Sequence, residues 1–318
     1  MTELWKTTNI EELKGAWSAA TDWSNPSAIK ATSNPRFATA KDGKVYTINM
    51  KTMAIAEVTL EGLKDLYTLP NIDPDFYGTA ISVDEVGNFL IGEDFVSVES
   101  AQKWAIYSPS NGQCKSFDIG VPEGWTLGRL DCVGRVLGDL TREALFFLAP
   151  NNDGTPKVRV MKATGNGNVN SIELEELAGI SVSQPLSGFQ QNIAQPGFNT
   201  YAEYEAGGED NYNFYYSACC SHAQIYTAYI DGKTTTSFAP DLALSINAPI
   251  NGFATFTIEG KRYFVRNFTL NKAFDMAIAV TDANGDILTT WINEDWTPNG
   301  GYSSIIAEPI DGNKANIY

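Results

Sequence analysis

Four short runs set aromatic rings beside carboxylates and amides: Asn71-Ile72-Asp73-Pro74-Asp75-Phe76-Tyr77, Glu123-Gly124-Trp125 with Arg129 just after it, Phe189-Gln190-Gln191, and Asn293-Glu294-Asp295-Trp296 with Tyr302. An aromatic face stacks on the C–H face of a sugar ring. Neighbouring carboxylates and amides meet the ring's hydroxyls through paired hydrogen bonds. That mixture of apolar platform and a few polar groups is what a small-molecule site requires. The competing fate of each ring is to plug a gap in the core, at a gain of roughly 1.5–3 kcal/mol.

The single histidine, His222, closes the run Cys219-Cys220-Ser221-His222. A Cys or Ser nucleophile needs its base within hydrogen-bond reach. Neighbours three apart on a turn rarely achieve that geometry, and no G-x-S-x-G elbow exists in the chain. His222 is therefore expected to be a hydrogen-bonding loop residue. Asp282-Ala283-Asn284-Gly285-Asp286 resembles the start of a calcium loop but lacks the glycine at position six and the glutamate at position twelve. It is expected to be a hairpin turn. Carboxylates for glycoside hydrolysis could be drawn from Asp73, Asp75, Asp131, Glu294 and Asp295, and Asp84, Asp131, Glu203 and Glu308 are candidate inner-strand calcium ligands. Neither set has a spacing that selects a pair. Cys114, Cys132, Cys219 and Cys220 match no zinc ribbon. Cys114 is expected on an outer strand and Cys132 on an inner one, so no bridge joins them. No metal and no cofactor is expected.

The 318 residues are 43% hydrophobic and 19% charged, enough to bury a sizeable core. A net charge of −16 disfavours nucleic acid, anionic membrane and anionic small molecules as partners. No stretch reaches the roughly 20 apolar residues of a membrane span. The N-terminus has no basic run followed by an apolar one, which fits either a cytosolic protein or the mature part of an exported one; abrupt strand-like ends favour the second, with an export signal expected outside the sequence.

These loops need a scaffold, and the chain repeats one. Apolar strands open after a turn near Arg36, Asn88, Glu143, Tyr212, Lys261 and Lys314, a spacing of 49 to 69 residues. Four strands can be written for most units: 79–83, 88–94, 104–108 and 114–119 in the second, 252–258, 261–268, 276–281 and 287–292 in the fifth. Lys41-Asp42-Gly43-Lys44 is a tight hairpin signal. Helical periodicity is confined to 10–17 and 172–177. A strand-rich period of this length predicts an all-β fold: a β-propeller of six four-stranded blades, a single domain over 1–318. The last unit lacks strands and an unpaired edge is a liability, so the N-terminal strand 3–7 is expected to close it. The runs 64–77, 121–126, 179–191, 240–249 and 294–301 would then share one face around the central channel with the loops joining second and third strands. That face carries Asp75, Phe76, Trp125, Gln191, His222, Trp296 and Tyr302, the candidate ligand-binding residues.

The segment RFATAKDGKVYTINMKTMAIAEVTL, with a leading Trp5-Lys6 strand and an Asn-Pro-Arg entry into the first blade, resembles uncharacterised secreted β-propeller proteins of polysaccharide-degrading gut bacteria. The resemblance implies an extracytoplasmic location, periplasmic or at the cell surface, in some members through a lipid anchor that would lie outside this chain. It implies a non-catalytic protein binding a glycan or protein partner, and it transfers no catalytic motif. The alternatives are a calcium-assisted hydrolase or lactonase at the channel mouth, and a scaffold subunit of a surface complex.

Overall fold

The computed structural model describes residues 38–49, 51–59, 62–73, 76, 78–93, 102–120, 129–151, 157–181, 203–206, 212–217, 225–229, 234–238, 250–270, 275–284, 286–293, 305–310 and 314–318. The strands are antiparallel and pair with their sequence neighbours. The first sheet holds β1 (Ala38–Lys41), β2 (Lys44–Asn49), β3 (Ala54–Thr59) and β4 (Gly62–Thr68). The second holds β5 (Gly78–Val83), β6 (Phe89–Glu93), β7 (Gln102–Ser108) and β8 (Gln113–Ile119). The third holds β9 (Arg129–Asp139), β10 (Glu143–Asn151), β11 (Lys157–Thr164) and β12 (Glu173–Ser181). The fourth holds β13 (Glu203–Ala206), β14 (Tyr212–Ser217), β15 (Ile225–Tyr229) and β16 (Thr234–Phe238). The fifth holds β17 (Ile250–Ile258), β18 (Lys261–Leu270), β19 (Asp275–Asp282) and β20 (Ile287–Asn293), and a two-stranded sheet of β21 (Ala307–Ile310) and β22 (Lys314–Ile317) follows.

First strands lie against one another in sequence: β1 touches β5, β5 touches β9, and β9 touches β13. The contact continues from β14 to β17, from β17 to β21, and from β21 back to β1. The architecture is all-β, a propeller-like arrangement of four-stranded sheets.

Packing sheet against sheet explains the near-continuous apolar strands. Along β7, Trp104 and Ile106 join a cluster with Val136, Phe146 and Met161 of the third sheet. The alternate residues Ala105 and Tyr107 join Ile48 and Ile55 of the first. Since successive side chains point to opposite faces, the part of a strand covered on both sides is apolar at successive positions. In β19, Ala279, Val280 and Thr281 are likewise buried on alternate faces. The Lys41–Lys44 turn is of the expected kind, with positive φ at both Asp42 and Gly43 (53° and 75°).

Three expectations are corrected. The repeat start at Arg36 is set in phase with the second strands at Asn88 and Glu143, but Ala38–Lys41 is the first strand of its sheet and the second starts at Lys44. The run 64–77, expected to be a loop, begins within the fourth strand, so this sheet has its four strands between Ala38 and Thr68. The 172–177 segment is strand, preceded by a 3-10 turn at Val169–Ser171, and not a helix. Its Glu-Leu-Glu-Glu-Leu spacing is produced by a β-bulge: Val160 pairs with Ala178 and Met161 with Glu176, leaving Leu177 out of register and 47% exposed. An extra residue in a strand turns a period of two into an apparent period of three. The 10–17 segment and the N-terminal strand 3–7 lie outside the described residues.

Candidate functional site

The two ends of the sheets differ. At one end, first and second strands, and third and fourth, join through 42–43, 84–88, 140–142, 259–260, 109–112, 165–172 and 283–286. Several of these turns are capped by carboxylates. Asp84 accepts hydrogen bonds from the amides of Val86 (2.9 Å) and Asn88 (2.7 Å) and from Asn88 Nδ2 (2.8 Å). It also accepts from the Leu140 amide of the next sheet at 2.8 Å. Asp139 accepts from Asn88 Nδ2 (3.2 Å) and from Thr141 N and Oγ1 (2.8 and 2.7 Å), and Arg142 lies 3.7 Å from its second oxygen. Asp282 caps the Asn284 and Asp286 amides at 2.8 and 2.9 Å, so this run is the hairpin turn expected of it. Glu308 accepts from the Gly43 amide at 3.2 Å and from the Tyr318 hydroxyl at 3.1 Å.

Of the four inner-strand acids considered as calcium ligands, Asp84 and Glu308 are thus committed to joints between sheets. Asp131 and Glu203 lie on the innermost strands β9 and β13, as expected. Among the described residues, no three His, Cys, Asp or Glu side chains gather in a group that could hold a metal ion. Sequence reading passed over the Asp84–Asn88 clamp, although Asp84-Glu85-Val86-Gly87-Asn88 and Asp282-Ala283-Asn284-Gly285-Asp286 share one spacing. The shared D-x-x-G-[N/D] pattern was the available signal for an aspartate bonding its own backbone two and four residues on.

At the opposite end, fourth strands connect to the next sheet through 69–77, 120–128, 182–202, 239–249 and 294–306, and second strands to third through 50–53, 94–101, 152–156, 218–224 and 271–274. The described part of the first connection folds inward. The Phe76 amide donates to Asp73 O at 2.9 Å, and the Asp73 carboxylate pairs with Lys103 on β7. Phe76 is 1% exposed, in the cluster of Leu69, Ile81 and Ile91. Its ring fills a slot left by Gly78, where a Cβ would lie 2.7 Å from Phe76 Cε1 and 2.5 Å from Ile91 Cγ2. Phe76 therefore presents no face to a ligand, and its nomination is corrected: two residues ahead of a glycine that opens a strand, the ring is core. Asp75 precedes it in the same connection; Trp125 belongs to 120–128, Gln191 to 182–202, His222 to 218–224, and Trp296 and Tyr302 to 294–306, and all six lie outside the described residues.

The buried chemistry near the first two sheets is structural. Tyr46 packs edge-on against Phe89 at 5.2 Å and Tyr67 against Tyr107 at 5.4 Å. Desolvation, then the neighbouring Tyr67, raises the hydroxyls of Tyr46 and Tyr107. Cys114 is a free thiol on the outermost strand β8, pushed up to about 11 by burial, which leaves no reactive thiolate near neutrality.

No family model matches the chain, and no curated protein matches it. Solved structures do. A DUF4623 family protein from Bacteroides eggerthii superposes at a TM-score of 0.54 with 12% identity, covering 92% of this chain and 69% of that one. An α-L-arabinofuranosidase from Fusarium graminearum gives 0.43 and 12%, covering 75% and 72%. The extracellular domain of a two-component system from B. thetaiotaomicron gives 0.31 and 10%, covering 81% and 42%. At these identities the first likeness is one of fold alone, and the other two carry no argument. Among the described residues no helix is long and apolar enough to cross a membrane.

Proposed function

We propose that this chain is an exported, extracytoplasmic, non-catalytic propeller that binds a neutral glycan, or a protein partner presenting similar polar and apolar groups, on the end carrying the long connections. The proposed site uses Asp75, Trp125, Gln191, His222, Trp296 and Tyr302, contributed by five separate connections. In this reading the ring has six blades, and strand 3–7 adds to the free side of β22 to complete the last.

One observation carries the reading: the division of labour between the two ends. Asp84 and Glu308 spend their carboxylates on internal joints, with the Leu140 and Gly43 amides, whereas the aromatic, acidic and amide-rich runs fall by sequence in the long connections between fourth and first strands. The commitment of Asp84 and Glu308 also removes two of the four carboxylates that a calcium-assisted hydrolase could use.

The test is retention on a panel of neutral oligosaccharides of plant and host type. Wild-type protein should bind at millimolar to micromolar strength, roughly −4 to −8 kcal/mol. The double substitution Trp125→Ala/Trp296→Ala should abolish retention without lowering the melting temperature. A blank wild-type panel, or a collapse of the fold in the double variant, would count against the glycan reading and in favour of the scaffold reading.

A further inference from the structure

The C-terminal hairpin has two unlike faces. Ile305, Ala307, Ala315 and Ile317 pack against Ala254, Phe256 and Val265 of the fifth sheet. Residues on the alternate positions, Glu308, Asn316 and Tyr318, form a polar row: Asn316 Nδ2 lies 3.0 Å from the Tyr318 hydroxyl, which donates to Glu308. The Tyr318 backbone pairs with Ile306 in both directions, at 2.9 and 3.0 Å, holding the row in register. Glu308 points across to the first sheet, where it takes the Gly43 amide and its charge helps raise the Tyr46 hydroxyl.

Between the first and second sheets, and between the second and third, the described residues form large apolar clusters, to which Asp84 adds its bond to Leu140 at the second of these joints; among the described residues no such cluster joins the C-terminal hairpin to the first sheet. A polar interface exchanges protein hydrogen bonds for water at modest net cost, greater where a charge takes part, whereas an apolar cluster must be exposed whole. We propose that the joint between the C-terminal hairpin and the first sheet is a polar latch centred on Glu308, and that the ring opens there ahead of the joints between the first, second and third sheets. The latch is independent of any ligand on the long-connection end.

Hydrogen exchange of the full chain tests this. In wild-type protein, amides of 41–46 and 305–318 should exchange through an opening that leaves 104–108 and 136–146 protected. Glu308→Gln, which keeps the shape and loses the charge, should speed exchange at 41–46 and 305–318 at least tenfold and leave 84–90 and 136–146 unchanged. Tyr318→Phe, which removes one donor to Glu308 and is milder, should give a smaller increase at the same two segments and decides the question if Glu308→Gln fails to fold. Unchanged exchange at 41–46, or equal acceleration across all sheets, would overturn the latch.

Discussion

The Asp84 carboxylate, just past the innermost strand of one sheet, accepts the backbone amide of Leu140 in the first turn of the next at 2.8 Å, with both residues buried. A second tie runs beside it, from the Glu85 amide to the Gly138 carbonyl at 3.1 Å. The side chain thus closes its own turn and fastens it to a neighbour 56 residues away.

Asp84→Ala strands several buried donors at once, each worth about 1–3 kcal/mol when unsatisfied. It should cost about 3 kcal/mol overall, a fall in melting temperature of roughly 6–12 °C. Asp84→Asn should recover little of this, because its amide nitrogen would face donors. A thermal melt checks both, and an unchanged Asp84→Ala melt would show that the clamp is dispensable.

Gly92 lies against the indole of Trp104, its partner across β6 and β7; a Cβ there would sit 2.4 Å from Trp104 Cη2. Trp104 is fully buried and cannot yield. Gly92→Ala should therefore destabilise by about 1–3 kcal/mol through overpacking. Gly112→Ala is the control: it has open space around it and pays only for φ +66°, about 1 kcal/mol. Urea unfolding should rank Gly92→Ala below Gly112→Ala, and the reverse order would reject the packing argument.

Burial raises the Cys114 thiol from 9.0 to about 11, so the folded chain holds this proton more tightly than the unfolded one. The resulting stability is fully present below pH 9 and is lost as pH rises towards 11. Raised Tyr46 and Tyr107 hydroxyls add loss in the same direction at higher pH. Melting temperature should be level to about pH 9 and then decline, and Cys114→Ala should flatten the first part of that decline. A wild-type curve level through pH 11 would contradict the assignment.

The repeat was legible because strands covered on both faces are apolar at successive positions along their middle, as 104–107 in β7 and 276–280 in β19 are. Strand limits in the second and fifth sheets fall within a few residues of those expected. The phase of the first unit was not legible: RFATA and KVYTIN are both short apolar runs, and nothing local distinguishes a first strand from a second. Leu177 misled because a bulge imitates helical spacing. At the site, Phe76 looked like a platform because its sequence neighbours are polar; the slot beside Gly78 that buries it exists only once β5 and β6 have paired. The polar joints at Asp84 and Glu308 escaped for the same reason, since each is completed by a backbone amide from another sheet.

Strand 3–7 is proposed to complete the last blade beside β22. Removing residues 1–8 should lower the melting temperature by several degrees, since about 1 kcal/mol shifts a chain of this size by roughly 2–4 °C or somewhat less. Calorimetry of the truncated chain decides this, and an unshifted transition would refute closure by that strand.

The most direct test is a hydrogen-exchange footprint of the protein with and without the oligosaccharide it retains best. Binding on the long-connection end predicts added protection in 120–128, 182–202, 218–224 and 294–306, with the turns at 84–88, 140–142 and 283–286 unchanged. Protection confined to those short turns, or spread over neither end, would contradict a ligand site built from the long connections.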